Sequence, residues 1–194
     1  MNRKLTALLA PIIVVTLVDQ WSKYLVRTTS SLQDWTIIPG WLSFHYTQNP
    51  GMAMGLDWLQ TPVISVVSIV ATIGIFIYVV RLMDSANVAF LIFMGLVIGG
   101  AVGNIVDRLF MGYIENTGGL LHGHVVDFIH FTLNIGGHPV FPYIFNVADM
   151  AISVSLVCLI VFHKRILPAE EQDYLEENTE HSSDAGNSSK AVES

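Results

Sequence analysis

The stretch VAFLIFMGLVIGGAVGNIVDR, residues 88–108, decides the fold class. Nineteen residues from Val88 to Val106 pass without a charge before Asp107 and Arg108 close the run. The hydrocarbon layer of a bilayer takes about 20 apolar residues as a helix, so this segment reads as a membrane span. Gly95, Gly99 and Gly103 recur every four residues. That period lines small residues along one stripe and lets another helix approach closely.

Three further segments share this character. Leu5 to Val18 is apolar and continues through Asp19 to Arg27 as a polar end; Pro62 to Val80 carries no charge; Phe141 to Phe162 is interrupted by Asn146 and Asp149. The expected spans are therefore about 5–27, 62–80, 88–108 and 141–162, and the fold class is an all-α polytopic membrane protein with four transmembrane helices. Composition agrees, with 194 residues, 52% hydrophobic, 13% charged and a mean hydropathy of +0.55. A soluble domain carries about 25% charged residues. Arg3 and Lys4 ahead of the first apolar run imitate a secretory signal. The run continues into Asp19-Gln20-Trp21-Ser22-Lys23 with no small-x-small cleavage site, so it is expected to be retained.

The net charge of -7 is unevenly placed. Residues 1–167 hold eight Lys/Arg and eight Asp/Glu, whereas 168–194 hold eight acids against Lys190. The acidity belongs to the tail and says nothing of a substrate for the body. Residues 1–167 are read as the functional domain and 168–194 as a disordered acidic cytoplasmic tail, rich in Ser and Asn. One cysteine, Cys158, excludes a disulfide framework and a Cys-rich zinc site, and its apolar surroundings suggest a core thiol.

Arg3, Lys4, Arg81, Lys164 and Arg165 share one side if four spans alternate. The positive-inside rule makes that side the cytoplasm and puts both termini there. Loops 28–61 and 111–140 then face outward. Trp21, Trp35, Trp41 and Trp58 all belong to the outer end of the first span or the loop after it, as an interfacial aromatic belt does. From Trp41 to Thr47, Leu42, Phe44 and Tyr46 alternate with Ser43, His45 and Thr47. This strand periodicity predicts a small extracytoplasmic β-sheet and loop cap.

Polar groups within spans are expensive and usually mark function or a buried pair. They are Asp19 and Lys23, Asn104 with Asp107 and Arg108, and Asn146 with Asp149; Asp127 stands just outside, in Val125-Val126-Asp127-Phe128-Ile129. Asp19 and Lys23, four apart with the acid first, suit a structural ion pair. Asp149, eight residues after Phe141, would lie about 12 Å down its helix. All these groups can then converge at one depth below the outer surface. Two carboxylates held close cannot both ionise, so one keeps a proton and the pair can act as base and acid together. That suits activation of water against a peptide bond. His122, His124, His130 and His138 surround Asp127 in sequence, yet neither HExxH nor HxxEH is present, and no metal or other cofactor is expected.

Five blocks together resemble the lipoprotein signal peptidases, or signal peptidase II. They are Asp19-Gln20-x-Ser22-Lys23, Asn49-x-Gly51-x-Ala53-x-Gly55, Gly103-Asn104-x-x-Asp107-Arg108, Val126-Asp127-Phe128 and Phe145-Asn146-x-Ala148-Asp149, in that family's order across about residues 3–165. The resemblance implies an intramembrane aspartic endopeptidase of the bacterial plasma (inner) membrane, with its site toward the periplasmic face. It would remove the signal peptide on the N-terminal side of the diacylglyceryl-modified cysteine of a prolipoprotein. By the same resemblance Asp127 and Asp149 match the catalytic dyad, and Asn104, Arg108 and Asn146 match polar residues lining the site. Asn49 and Gly55 match the outer-loop motif, and Asp19 and Lys23 the first-span motif, with Asp107 as a structural polar residue. The implied partners are diacylglyceryl-prolipoproteins, membrane lipids and the inhibitor globomycin; nucleic acid is not expected. Met54 stands where the family often has an aromatic, and Glu115 to Gly123 and Asn134 to His138 lengthen the outer loops.

A second reading is a proton-coupled small membrane carrier in which Asp149, Asp107 and Asp19 relay protons. It requires polar groups along a complete path. The second span offers only Ser and Thr, and the fourth is apolar from Ala151 onward apart from Ser153 and Ser155. A scaffold whose polar groups only join helices is a third.

Overall fold

The computed structural model describes residues 3–51 and 60–166. Gly55 and Trp58 of the outer loop, and the acidic tail, lie outside the described residues. The elements in chain order are α1 (Arg3–Thr28), α2 (Ser30–Gln33), β1 (Asp34–Ile38), β2 (Leu42–Asn49), α3 (Thr61–Arg81), α4 (Val88–Ile114), β3 (Val125–Phe131), β4 (Asn134–Ile135), β5 (His138–Pro139), β6 (Ile144–Phe145), α5 (Val147–Val161) and α6 (His163–Ile166). Among them α1, α3 and α4 are long and apolar enough to cross a membrane, and α5 is a shorter apolar helix.

α4 is the central helix, packed by α1, α3 and α5. Its glycines explain how. A methyl group on Gly95 would lie 2.5 Å from the Leu8 carbonyl oxygen of α1, and one on Gly99 would lie 2.9 Å from that of Ile12. The Gly95, Gly99, Gly103 stripe therefore seats α1. Gly100, off that stripe, does the same for α5, since a methyl there would meet the Ala148 carbonyl oxygen at 2.5 Å. Thr16 Oγ1 adds a hydrogen bond to the Gly99 carbonyl across the α1–α4 seam. α3 turns Val63, Val66, Val67, Val70 and Ile73 outward and buries Ser65 and Thr72. Such an inverted arrangement suits lipid rather than water around the helix.

At one end of the bundle Lys4 Nζ donates to the Asp84 carbonyl, and Asn87 Nδ2 donates to the carbonyls of Arg165 and Ile166. Lys4 at the start of α1 and the end of α6 thus meet the α3–α4 turn. At the other end sits an antiparallel sheet in the order β1-β2-β3-β6. The alternation read from Trp41 to Thr47 is β2. Its Phe44 packs edge-on against Phe128 of β3 and Trp35 of β1, with ring centroids 5.1 and 5.7 Å apart. Val26, Val126 and Phe128 form the core beneath the sheet, joining it to the end of α1.

The fourth apolar segment departs from expectation. It does not run as one helix from Phe141; Ile144 and Phe145 pair with β3, and α5 begins only at Val147. Asn146 is the cause. Its backbone is extended, its side chain accepts from the Asp149 N–H, and the Asp149 side chain accepts from the Asn146 N–H. This reciprocal capping box fixes the helix start. Asp149 consequently stands in the first turn of α5, not about 12 Å down a helix. Cys158, expected in the core, is only half-buried on α5.

Candidate active site

The site forms where the sheet meets the starts of two helices. Strand register supplies the first part. Thr47 pairs with Asp127 and Asn49 with Val125, so Asn49 and Asp127 are diagonal neighbours on one face of β2 and β3. Asn49 Nδ2 donates to Asp127 Oδ2 at 3.0 Å, while Asn49 Oδ1 accepts from the Gly51 N–H at 2.9 Å. Gly51 has φ +103°, a conformation that favours glycine, so the turn orients the amide that holds Asp127.

Asn146 links the two carboxylates. Its Nδ2 donates to Asp127 Oδ1 at 2.6 Å, and its backbone N–H donates to Asp149 Oδ2 at 3.2 Å. The cap geometry that starts α5 therefore also bridges Asp127 and Asp149. Asn104, from α4, donates through Nδ2 to Asp149 Oδ1 at 2.8 Å. Its Oδ1 accepts from Lys23 Nζ at 2.9 Å and from Asn146 Nδ2 at 3.2 Å. Each oxygen of both carboxylates thus has an amide donor.

Asp127 is 2% exposed. Burial pushes its carboxyl up from 3.8 to about 6, the Asp149 charge adds to the rise, and the bonds from Asn49 and Asn146 oppose it. An acid buried beside a second acid tends to keep a proton toward neutral pH.

Beneath this pair lies a buried charge cluster. Lys23 Nζ is 2.8 Å from Asp19 Oδ2 and 2.8 Å from Asp107 Oδ2. The expected Asp19–Lys23 pair is present, and Asp107 joins it. Arg108 Nη1 donates to the Asn104 carbonyl at 3.3 Å; its charge interacts with Asp107, Asp149 and Asp127. Its buried Nε has no hydrogen-bond partner among the described residues. Gly55 lies outside them, and every other candidate site residue lies in or against this network.

Gln20 is a further member, part of the first family block but not among the expected site residues. Its Nε2 donates to Asp107 Oδ1 at 2.9 Å and to the Gly103 carbonyl at 3.0 Å. The signal was present, since Gln20 is a polar side chain inside an apolar helix beside Asp19. The aromatic wall is a second feature absent from the sequence expectations. A cavity of about 400 Å³ is lined by Phe131, Phe141, Phe145, Asp149, Met150, Ser153 and Val154. Asp149 is the charged group in that apolar lining. Phe131 and Phe145 lie 5.3 Å apart, and Phe141 lies 5.7 Å from Phe145. The histidines do not converge: among the described residues no three His, Cys, Asp or Glu side chains form a ligand set for a metal ion.

Known proteins share this architecture and sequence. A solved structure of a bacterial membrane enzyme matches with a TM-score of 0.61 at 26% identity, covering 80% of this chain and 91% of that one. The lipoprotein signal peptidase of Pelodictyon phaeoclathratiforme is 35% identical over 165 residues, covering 82% of this chain and 90% of the relative. That of Porphyromonas gingivalis is 32% identical over 186 residues, covering 80% and 82%. The sequence model of the signal peptidase (SPase) II family matches residues 11–164. With apolar helices of spanning length and this match over most of its length, the chain belongs to the signal peptidase II family and is a bacterial membrane peptidase of lipoprotein processing.

Proposed function

We propose that the chain is an intramembrane aspartic endopeptidase. It removes the signal peptide from diacylglyceryl-modified prolipoproteins by cutting on the N-terminal side of the lipidated cysteine. The observation that carries this reading is the bridge of Asn146 between Asp127 and Asp149. Asp127, Asp149, Asn49, Asn104, Asn146 and Arg108 form the working site, and Gly55 follows Asn49 in the same sequence block.

With one carboxyl neutral and one ionised, the ionised member takes a proton from water as its oxygen attacks the scissile carbonyl. The neutral member then protonates the leaving amine, and the dyad regains its starting charge after one exchange of protons. The rise of Asp127 to about 6 supports a proton held by the pair toward neutral pH. A lipid-modified substrate covering the site excludes water and strengthens that tendency. Asn49, Asn104 and Asn146 fix the carboxylates, and the charge of Arg108 interacts with both of them.

The topology follows from the same reading. Four spans, with α5 as the last, put the basic ends of α1, α3 and α6 in the cytoplasm together with residues 168–194. The site then opens toward the outer face of the plasma membrane. Asp149 lies in the first turn of α5, and the helix beyond is apolar apart from Ser153 and Ser155. This supports a site reached from one side rather than a proton path through the bilayer.

The test is cleavage by purified protein in detergent of a prolipoprotein with and without its diacylglyceryl group. The expected result is globomycin-sensitive cleavage of the lipidated form alone. Equal cleavage of both forms would remove the lipid-dependent assignment.

A further inference from the structure

Two hydrogen bonds outside the dyad follow one pattern. Asp107 Oδ2 accepts from the N–H of Val126 at 3.1 Å, and Val126 immediately precedes Asp127. Asp19 Oδ1 accepts from the N–H of Ala148 at 2.9 Å, and Ala148 immediately precedes Asp149. Asp19 and Asp107 are both 0% exposed. Lys23 joins them through Nζ, and its third donor goes to Asn104, which in turn donates to Asp149. An ammonium group has three donors, and all three are used.

From this pattern we infer that Asp19, Lys23 and Asp107 form a positioning triad that sets the spacing of the two carboxylates. The inference rests on reading Asp127 and Asp149 as the catalytic dyad. Those residues come from different elements, a strand of the cap and the first turn of a helix, and the segment between them contains a two-stranded excursion, β4 and β5. The β3–β6 pairing and the Asn146 bridge tie them together from within that segment, and the pattern above adds a frame from outside it. α1 supplies it, because Asp19 and Lys23 stand one turn apart on a single rigid helix. A cluster that only fastened α1 to α4 would need the Lys23 pairs and nothing more. Here the carboxylates also hold the peptide N–H groups that precede both catalytic residues. Gly103 leaves room for this: a methyl there would lie 2.6 Å from Asp19 Oδ2.

The experiment compares Asp107→Ala with Asp107→Asn in the full chain, using a diacylglyceryl-prolipoprotein as substrate. The asparagine keeps an oxygen that can accept from the Val126 N–H, whereas alanine does not. Misplacing a reacting group by about 1 Å costs about 10²-fold, so Asp107→Ala is expected to lower kcat on that order in folded protein. KM is expected to stay within about twofold, because substrate contacts remain. Asp107→Asn is expected to recover a large part of the lost kcat. A wild-type kcat per folded molecule in Asp107→Ala, with only Tm lowered, would overturn the inference, as would a change confined to KM. If Asp107→Ala does not accumulate, Gly103→Ala decides the matter, since it keeps every charge while crowding Asp19. A lowered kcat with unchanged KM supports the triad, and an unchanged kcat overturns it. Wild-type protein run alongside separates the failures. Active wild type with unaffected variants defeats the triad alone, and inert wild type defeats the dyad reading and the triad with it.

Discussion

Asp127 accepts one bond from a strand-end asparagine and one from a helix cap, within a site that water scarcely reaches. Its carboxyl is raised from 3.8 to about 6, so the folded state binds the proton more tightly than the unfolded chain does. The sign follows directly: the stability linked to this group is fully present below about 3.8 and is lost as pH rises through about 6. Relative to Asp127→Asn, which does not titrate, the wild type should lose stability from pH 4 to pH 7, by up to about 3 kcal/mol. Paired thermal melts in detergent measure this. A gap that stays constant or moves in the wild type's favour would contradict the burial of Asp127. At this scale the polar residues stood out in the sequence because charge is scarce in the body. What each one touches was not legible, because Asp127, Asn146 and Asn104 meet across long sequence separations. Gln20 is legible only as part of the first family block, because a neutral amide stands out less than a charge in an apolar run.

Helix packing rests on where a side chain would fail to fit. Gly95 faces the Leu8 carbonyl oxygen, a backbone atom that cannot swing away, while a methyl on Gly74 of α3 would meet nothing within 4 Å among the described residues. Gly95→Ala should therefore destabilise the α1–α4 pair by about 1–3 kcal/mol, as overpacking does. Gly74→Ala should be neutral or stabilise by about 0.4–1 kcal/mol through lower unfolded-state entropy. Thermal melts of the two variants give the comparison, and equal losses would show that the glycine stripe does not set the approach. The every-fourth-residue spacing was readable, but its partner helix was not, nor was the separate contact of Gly100 with α5. The start of α5 is hidden in the sequence because an apolar run such as Phe141 to Phe145 looks alike as strand or helix. Asn146 followed three residues later by Asp149 was the available signal, since that spacing permits a cap.

Across the whole molecule, a glycine-seated helix bundle supports a small sheet, and the two carboxylates sit at their junction. Spans and a cap could be read from hydropathy and alternation because lipid and sheet each impose a period. The junction could not, because it depends on how three elements meet in space. That junction is where cleavage is proposed to take place. The most direct measurement is cleavage of a diacylglyceryl-prolipoprotein by Asp127→Asn and by Asp149→Asn, each purified from the membrane and compared with wild type at matched folded concentration. Each variant should accumulate in the membrane and lose cleavage by about 10³-fold or more, as removal of one member of a catalytic unit does. Processing at the wild-type rate by either variant would rule out the Asp127–Asp149 dyad.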